Sequence, residues 1–460
     1  MKKIALLLAL LTSSAFGLSA QVVIRGNISN VPSSAIPVAF LEYWAVDHWQ
    51  QVAILQLENG GDFSTDKLPP AQAQCQVRMT NQPGVRNDFL LPGPGEPCDS
   101  VLRINLDMRF MDGRPVLVAG YPENDLYFTL MSANHTLIKL RDSSSTADMA
   151  QQLDAVRKFN RLCTEMSQQH RGTFTGDIVA NLVYLPQPEE YPKDPKVAGM
   201  SANAFVIAHD LDTIPFRYDR ILNHNAFERS LNRYYNYFDH TSADGSKNYV
   251  ENIMSHRNGS DAVDLFLFKY MLDKMMASKN EAGLEHLLTW YLPDCSDESP
   301  LTNYTKTLIQ ALQNCAPGKV LPDMEWPDAN GKNVSLSEVC AKNKMTLLFF
   351  WKSNCSHCRE FKPVLAAYYE KFHPQGLEVL ALSLDRSDAN WKQTLQTEPT
   401  NWVNVYVPNE QREAMNKQFP VPATPTLISL DSNRKVLNRL ILRDQLEAYL
   451  KNMLAKLNGG

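Results

Sequence analysis

The sequence predicts a multidomain chain: an N-terminal antiparallel β-sandwich-like domain, an α-helical middle domain and a C-terminal α/β domain. Three observations carry this reading. Leu102, Ile104, Leu106, Met108 and Phe110 alternate with Arg103, Asn105, Asp107 and Arg109, the period-two pattern of a strand with one buried face. From about Tyr121 to Cys315 the apolar residues recur at helical spacing instead. After Ala316-Pro317-Gly318 short strand-like and helix-like segments alternate. A chain of 460 residues exceeds what one hydrophobic core ordinarily serves. The expected divisions are a signal peptide over 1–20, the β domain over 21–120, the helical domain over 121–316 and the α/β domain over 317–460.

Within the β domain, Val22-Val23-Ile24, Pro37 to Trp44 and Val52 to Leu57 are rich in strand formers, and Asn59-Gly60-Gly61 supplies a turn. Asp112-Gly113 is a second turn signal, ahead of Val116-Leu117-Val118. In the helical part, Ser145 or Thr146 is a candidate cap for a helix from Ala147 to about Gln169. Its apolar face carries Met149, Leu153, Val156, Phe159, Leu162, Cys163 and Met166, so Cys163 reads as core. Further helices are expected over Ala226–Phe238, Asp261–Ala277, Ala282–Tyr291 and Asn303–Asn314, with an extended connection at Pro186, Pro188, Pro192 and Pro195. His209 and His224 are too far apart for one helical face and read as ordinary polar residues rather than metal ligands. In the α/β part, strands are expected at Thr346–Trp351, Leu377–Leu384, Thr426–Leu430 and Val436–Leu440. Helices are expected from Cys355 to about His373 and over Ala389–Gln396, Glu410–Gln418 and Arg443–Lys456.

A formal net charge of −5 leaves no cationic surplus to neutralise phosphates, so a nucleic-acid partner is not expected. The first twenty residues set the expected compartment. Met1-Lys2-Lys3, the apolar run Ile4–Leu11 and the small residues up to Ala20 form the three parts of a secretory signal peptide. The apolar run is too short to span about 30 Å of hydrocarbon, and no later segment approaches roughly 18 apolar residues. A periplasmic protein without stable membrane insertion is the expectation.

Eight cysteines are present, and an exported chain permits disulfides. Cys75 with Cys98, and Cys295 with Cys315, could each close a short loop, or each could remain a buried thiol; spacing leaves this open. Cys340 reads as structural. The informative pair is Cys355-Ser356-His357-Cys358. A second ligand pair for structural zinc is lacking. The apolar run Leu347–Phe350 ends in Trp351, and after three more residues Cys355 falls at a helix start. There the unpaired backbone N–H groups and the helix dipole stabilise a thiolate. Cys358, one turn on, shares that face and can resolve a mixed disulfide.

Phe350-Trp351, Cys355, Cys358-Arg359, Pro363 and the later Thr424-Pro425-Thr426-Leu427 together resemble thioredoxins of the TlpA/ResA-like type. The resemblance implies a C-terminal thioredoxin fold, with Pro425 as the cis-proline against the cysteines and Thr424 pairing its backbone with substrate. It also implies a membrane redox partner and no dissociable cofactor or metal. The order of β, helical and thioredoxin-like parts resembles exported multidomain proteins of the Bacteroidota, and Gly120-Tyr121-Pro122-Glu123-Asn124 resembles a junction found in them.

This chain departs from the pattern at three places. Phe349 stands where many thioredoxins carry a buried carboxylate, Asn354 replaces an aromatic residue, and Ser356-His357 replaces the usual proline-containing dipeptide. An imidazole beside the Cys355 sulfur favours the thiolate, which makes the disulfide more oxidising; the alternative is that His357 points to solvent and leaves the sulfur untouched. The expected function is a thiol–disulfide oxidoreductase acting on exported protein thiols or disulfides: Cys355 attacks, Cys358 resolves, and His357, Thr424 and Pro425 support. Phe349 favours the alternative, an envelope binding or scaffold protein with a slow thioredoxin unit. A thiol peroxidase is the third reading; Ser353-Asn354-Cys355 lacks the threonine approach of that chemistry.

Overall fold

The computed structural model describes residues 22–459, less 32–37, 80–85, 108–111, 144–148, 183–198, 241, 258, 294 and 297–300. The signal-peptide segment, the 186–195 connection, the Ser145/Thr146 cap and the end of the Leu102–Phe110 strand lie outside the described residues. Contacts divide the chain into two compact units. One comprises the residues up to Asp239 together with Ser255–Phe266, and the other comprises His240–Met254 and Leu267 onward.

The first unit opens with β1 (Val23–Ser29), β2 (Val38–Ala45), β3 (His48–Gln56), β4 (Asp62–Thr65) and β5 (Ala73–Met79). It continues with β6 (Arg86–Leu91), β7 (Val101–Asp107), β8 (Asp112–Pro115) and β9 (Val118–Ala119). They form a four-stranded sheet ordered β4-β1-β7-β9 and a five-stranded sheet ordered β3-β2-β5-β6-β8. In β7, Leu102, Ile104 and Leu106 are buried while Arg103 and Asn105 are exposed, as the alternation predicts. The sheets are not wholly antiparallel: β1 runs parallel to β7, and β6 to β8. Parallel neighbours need a long crossover, and the strands between residues 30 and 100 supply one for β1 and β7.

Gly120, at a φ of +94°, turns the chain into α1 (Pro122–Ser143). Pro122 occupies the first helical position, where its missing N–H costs nothing. Asn124 is fully buried and accepts the Val118 amide at 2.8 Å. α1 packs over β6, whose Phe89, Leu90 and Leu91 are buried on both faces. Behind it follow α2 (Met149–Gln169), α3 (Phe174–Leu182), α4 (Ala202–His209) and α5 (Ala226–Tyr235). Cys163 is buried beside Phe159 and Met166, so it is core. His224 is also buried: its Nδ1 accepts the Ala226 amide at 2.9 Å, and its Nε2 meets the Tyr127 hydroxyl at 2.8 Å. That hydroxyl donates to Asp88 at 2.7 Å. Cys75 and Cys98 are thiols, as is Cys315, so neither of the candidate loops is closed.

The second unit contains α6 (Ala243–Ser255), most of α7 (Asp261–Ser278), α8 (Glu281–Trp290) and α9 (Asn303–Asn314). The α/β part follows: β10 (Glu325–Pro327), β11 (Asn333–Ser335), α10 (Leu336–Ala341), β12 (Met345–Trp351), α11 (Ser356–Phe372) and β13 (Leu377–Ser383). It ends with α12 (Asp388–Thr397), β14 (Val403–Tyr406), α13 (Arg412–Gln418), β15 (Thr426–Asp431), β16 (Val436–Asn438) and α14 (Leu446–Gly459). The sheet order is β14-β13-β12-β15-β16, with β13 and β14 parallel to β12's direction and β15 and β16 forming the antiparallel side. All seven residues of β12 are buried. Leu347, Phe349 and Trp351 enter one core with α11 and α14, while Leu348 and Phe350 enter the other with α10 and α13.

Helices α8 and α9 are tied to this sheet. Arg439, 2% exposed, pairs with Glu281 through Nη2 at 2.5 Å and Nε at 3.2 Å, and Nη1 donates to the Leu312 carbonyl. Asn314 donates to the Lys417 carbonyl at 2.8 Å. The chain at 318–321 then runs along the β15–β16 hairpin, with Gly318 N–H on the Val436 carbonyl at 2.8 Å. Among the described residues no helix is long and apolar enough to cross a membrane. Glu281→Ala leaves the Arg439 guanidinium buried without its counter-ion and is expected to destabilise the second unit by about 3 kcal/mol. Urea unfolding followed by tryptophan fluorescence measures this, and an unchanged midpoint refutes it.

Candidate active site

The site lies where the central strand ends. β12 stops at Trp351, and the Leu384 amide donates to the Trp351 carbonyl at 2.8 Å as the last bond of the ladder to β13. Three residues then turn the chain, closed by the Cys355 amide on the Lys352 carbonyl at 3.2 Å. Cys355 is the N-cap of α11, with extended backbone angles (φ −88°, ψ 113°), and its sulfur accepts the Cys358 amide at 3.3 Å. A thiol thereby does what a serine or aspartate oxygen does at most helix starts. Its occupant is thus exposed to the partial positive charge of the helix end.

The antiparallel register of β15 on β12 brings the second half of the site. Thr426 pairs with Phe350, so the residues just before Thr426 come level with the turn after Trp351. The Thr424–Pro425 peptide is cis, and the Thr426 hydroxyl holds the Ala423 carbonyl at 2.7 Å. The Cys355 thiol donates to the Thr424 carbonyl at 3.4 Å. Cys355, Cys358 and Thr424 are therefore in one place, with Pro425 next to Thr424. The His357 side chain is exposed, and it is the backbone amide of this residue that bonds toward the Cys355 sulfur.

Burial separates the two thiols. Cys355 is partly exposed, whereas Cys358 is fully buried. Desolvation pushes the Cys355 thiol up, but hydrogen bonds from the Cys358 and Thr424 side chains and from the Cys358 and His357 amides outweigh it, and the net shift is downward. Burial and the hydrogen bond to Cys355 push the Cys358 thiol up to about 11. The arrangement supplies an accessible nucleophile backed by a protonated reserve thiol.

Phe349 is fully buried, stacked on Trp351 at 6.3 Å between centroids and edge-on to Phe361 at 6.0 Å. Beyond Cys358 by one turn, Lys362 is 6% exposed; its Nζ sits 4.7 Å from the Trp351 ring and 2.8 Å from Glu398. Sequence reasoning missed this pair. It also missed Asp385, whose carboxylate accepts both the amide and the hydroxyl of Ser353, at 3.0 and 2.7 Å. The available signal was positional: parallel strands β12 and β13 end side by side, so residues just past both ends meet. Among the described residues no group of three or more His, Cys, Asp or Glu side chains could hold a metal ion.

Residues 343–436 match a family model described as thioredoxin-like. Tryparedoxin of Trypanosoma brucei brucei is 34% identical over 119 residues, which make up 25% of this chain and 78% of that protein. This chain belongs to the thioredoxin-like thiol–disulfide oxidoreductase family. A second relative, the thiol–disulfide oxidoreductase ResA of Bacillus thuringiensis (strain Al Hakam), is 29% identical over 144 residues, covering 30% of this chain and 78% of ResA. Among solved structures, the thioredoxin domain of a Bacteroides vulgatus thiol–disulfide oxidoreductase aligns at 26% identity over 30% of this chain and 98% of that one, with a TM-score of 0.29.

For a thioredoxin-like site of this geometry, alkylation of the reduced protein is expected to modify Cys355 first. Its pH midpoint should lie below that of an ordinary thiol, and Cys358 should stay protected until strongly alkaline pH. Mass spectrometry of the peptide carrying both cysteines reads the order. Equal rates at the two sulfurs refute it.

Proposed function

We propose that this protein is an exported, periplasmic oxidoreductase that exchanges disulfides with exported protein thiols through Cys355-Ser356-His357-Cys358. The observation that carries the reading is the asymmetry of the pair: Cys355 is accessible and lowered, Cys358 is buried and raised. The Cys355 thiolate attacks one sulfur of a substrate disulfide and expels the other as a thiolate. Cys358, giving up its proton, then attacks the Cys355 sulfur of the mixed disulfide. The substrate leaves as a dithiol with two electrons, and Cys355–Cys358 is left as the disulfide. A dithiol at a membrane redox partner reverses these steps to restore the reduced form.

Thr424 and Pro425 shape the substrate contact in this reading. The Thr424 carbonyl already faces Cys355, so its backbone is available to a strand laid against the sulfur. No dissociable cofactor takes part. The leader-like residues 1–20 support export, and the relative named ResA supports the reaction class. Phe349 offers no carboxylate to the Cys358 proton, so water or the departing thiolate accepts it.

Two outcomes test this. Equilibration against glutathione mixtures is expected to give a two-electron transition at Cys355 and Cys358, and Cys358→Ala should accumulate mixed disulfides that Cys355→Ala does not form. Failure of Cys355 to exchange with any dithiol refutes the reading. For His357, replacement by proline is expected to make the couple more reducing, because it removes the amide donor to the thiolate together with the exposed imidazole. An unchanged potential shows that neither group acts on the sulfur.

A further inference from the structure

We propose that Asp385 is the positioning residue of the dithiol, its carboxylate fixing the turn that delivers Cys355 to the start of α11. This deepens the exchange chemistry proposed above and rests on it. Between Trp351 and Cys355 only Lys352, Ser353 and Asn354 intervene, and of these Lys352 and Asn354 are exposed. Ser353 is the one whose amide and side chain are both held. Its amide reaches the two oxygens of Asp385 at 3.0 and 3.1 Å, and its hydroxyl donates at 2.7 Å.

Asp385 is itself immobilised. It is 4% exposed, the Ser383 hydroxyl donates to its Oδ2 at 2.8 Å, and its own amide donates to that hydroxyl oxygen at 3.2 Å. Arg412 donates to its backbone carbonyl, and the neighbouring Leu384 amide closes the ladder onto Trp351. Among the described residues its side chain has no ion-pair partner; Ser353 and Ser383 are its donors. A buried carboxylate is costly unless its oxygens are bonded, and here most of that bonding is to the turn before Cys355. The carboxylate thus converts the rigidity of β13 into a fixed place for the Cys355 sulfur, against the Cys358 amide and the Thr424 carbonyl.

Position and charge have opposite signs, and this makes the proposal testable. Removing a negative charge from the neighbourhood of Cys355 favours its thiolate, whereas releasing the turn weakens the hydrogen bonds that stabilise it. The experiment is the pH profile of iodoacetamide alkylation at Cys355 in the reduced full-length protein, read by mass spectrometry beside thermal unfolding. Asp385→Ala is expected to move the profile to higher pH and slow alkylation at neutral pH roughly three- to tenfold. Asp385→Asn keeps an acceptor oxygen for Ser353 and should remain within about twofold of the native rate. A native profile in Asp385→Ala, even with lowered thermal stability, overturns the proposal. So does faster alkylation in that variant, which is the signature of charge alone. Should Asp385→Ala not fold, Ser353→Ala carries the test: slowing in the same direction supports positioning, and an unchanged rate overturns it. A native protein whose Cys355 reacts like an ordinary thiol overturns the exchange reading instead, and the proposal with it.

Discussion

The bond from the Cys358 amide to the Cys355 sulfur, 3.3 Å long, is the interaction on which the chemistry of the site depends. It makes the nucleophile part of the helix rather than an appendage to it. A helix start has unpaired N–H groups that must find an acceptor, and a thiolate meets that need better than a thiol. The helix and the anionic sulfur therefore stabilise one another. The same geometry buries Cys358 one turn on, where desolvation and the hydrogen bond to Cys355 push its thiol up to about 11.

That bond forms only because β12 ends where it does. Its six apolar residues divide between two cores, Phe349 and Trp351 facing α11 and Phe350 facing α13. A strand packed on both faces cannot slip in register without moving every side chain to the wrong side. The strand ends on either side then fix the two halves of the site. β15 brings Thr424 to the sulfur, and β13 brings Asp385 to the turn. Phe349 joins Trp351 and Phe361 in the first of these cores.

The first unit rests on a different kind of contact. Asp88, Tyr127 and His224 form a buried chain of hydrogen bonds, with Gln74 as a further donor to Asp88 at 2.9 Å. Burial pushes the Asp88 carboxyl up, against the hydrogen bonds from Tyr127 and Gln74, and holds His224 well below its ordinary value. Such a network joins a strand, a helix and a loop far apart in sequence, and satisfied polar groups of this kind fix one arrangement of those elements.

Local signals were enough for the strand pattern of Leu102–Leu106, the helical face around Phe159 and Cys163, and a dithiol placed at the head of α11; the helix that starts at Pro122 was not read from them. Each depends on residues within a turn or two of one another, where periodicity, capping and backbone freedom act. Contacts between distant residues were not legible in this way. The parallel pairing of β1 with β7, the Arg439–Glu281 ion pair, the Lys362–Glu398 pair and the Asp385–Ser353 bonds each join residues with no local pattern relating them. The amino-acid order alone placed the two sulfurs one helical turn apart. Which carbonyl faces them, how deeply each is buried and what holds the turn before them were decided by strands β13 and β15, because only the closed sheet brings their ends to Cys355.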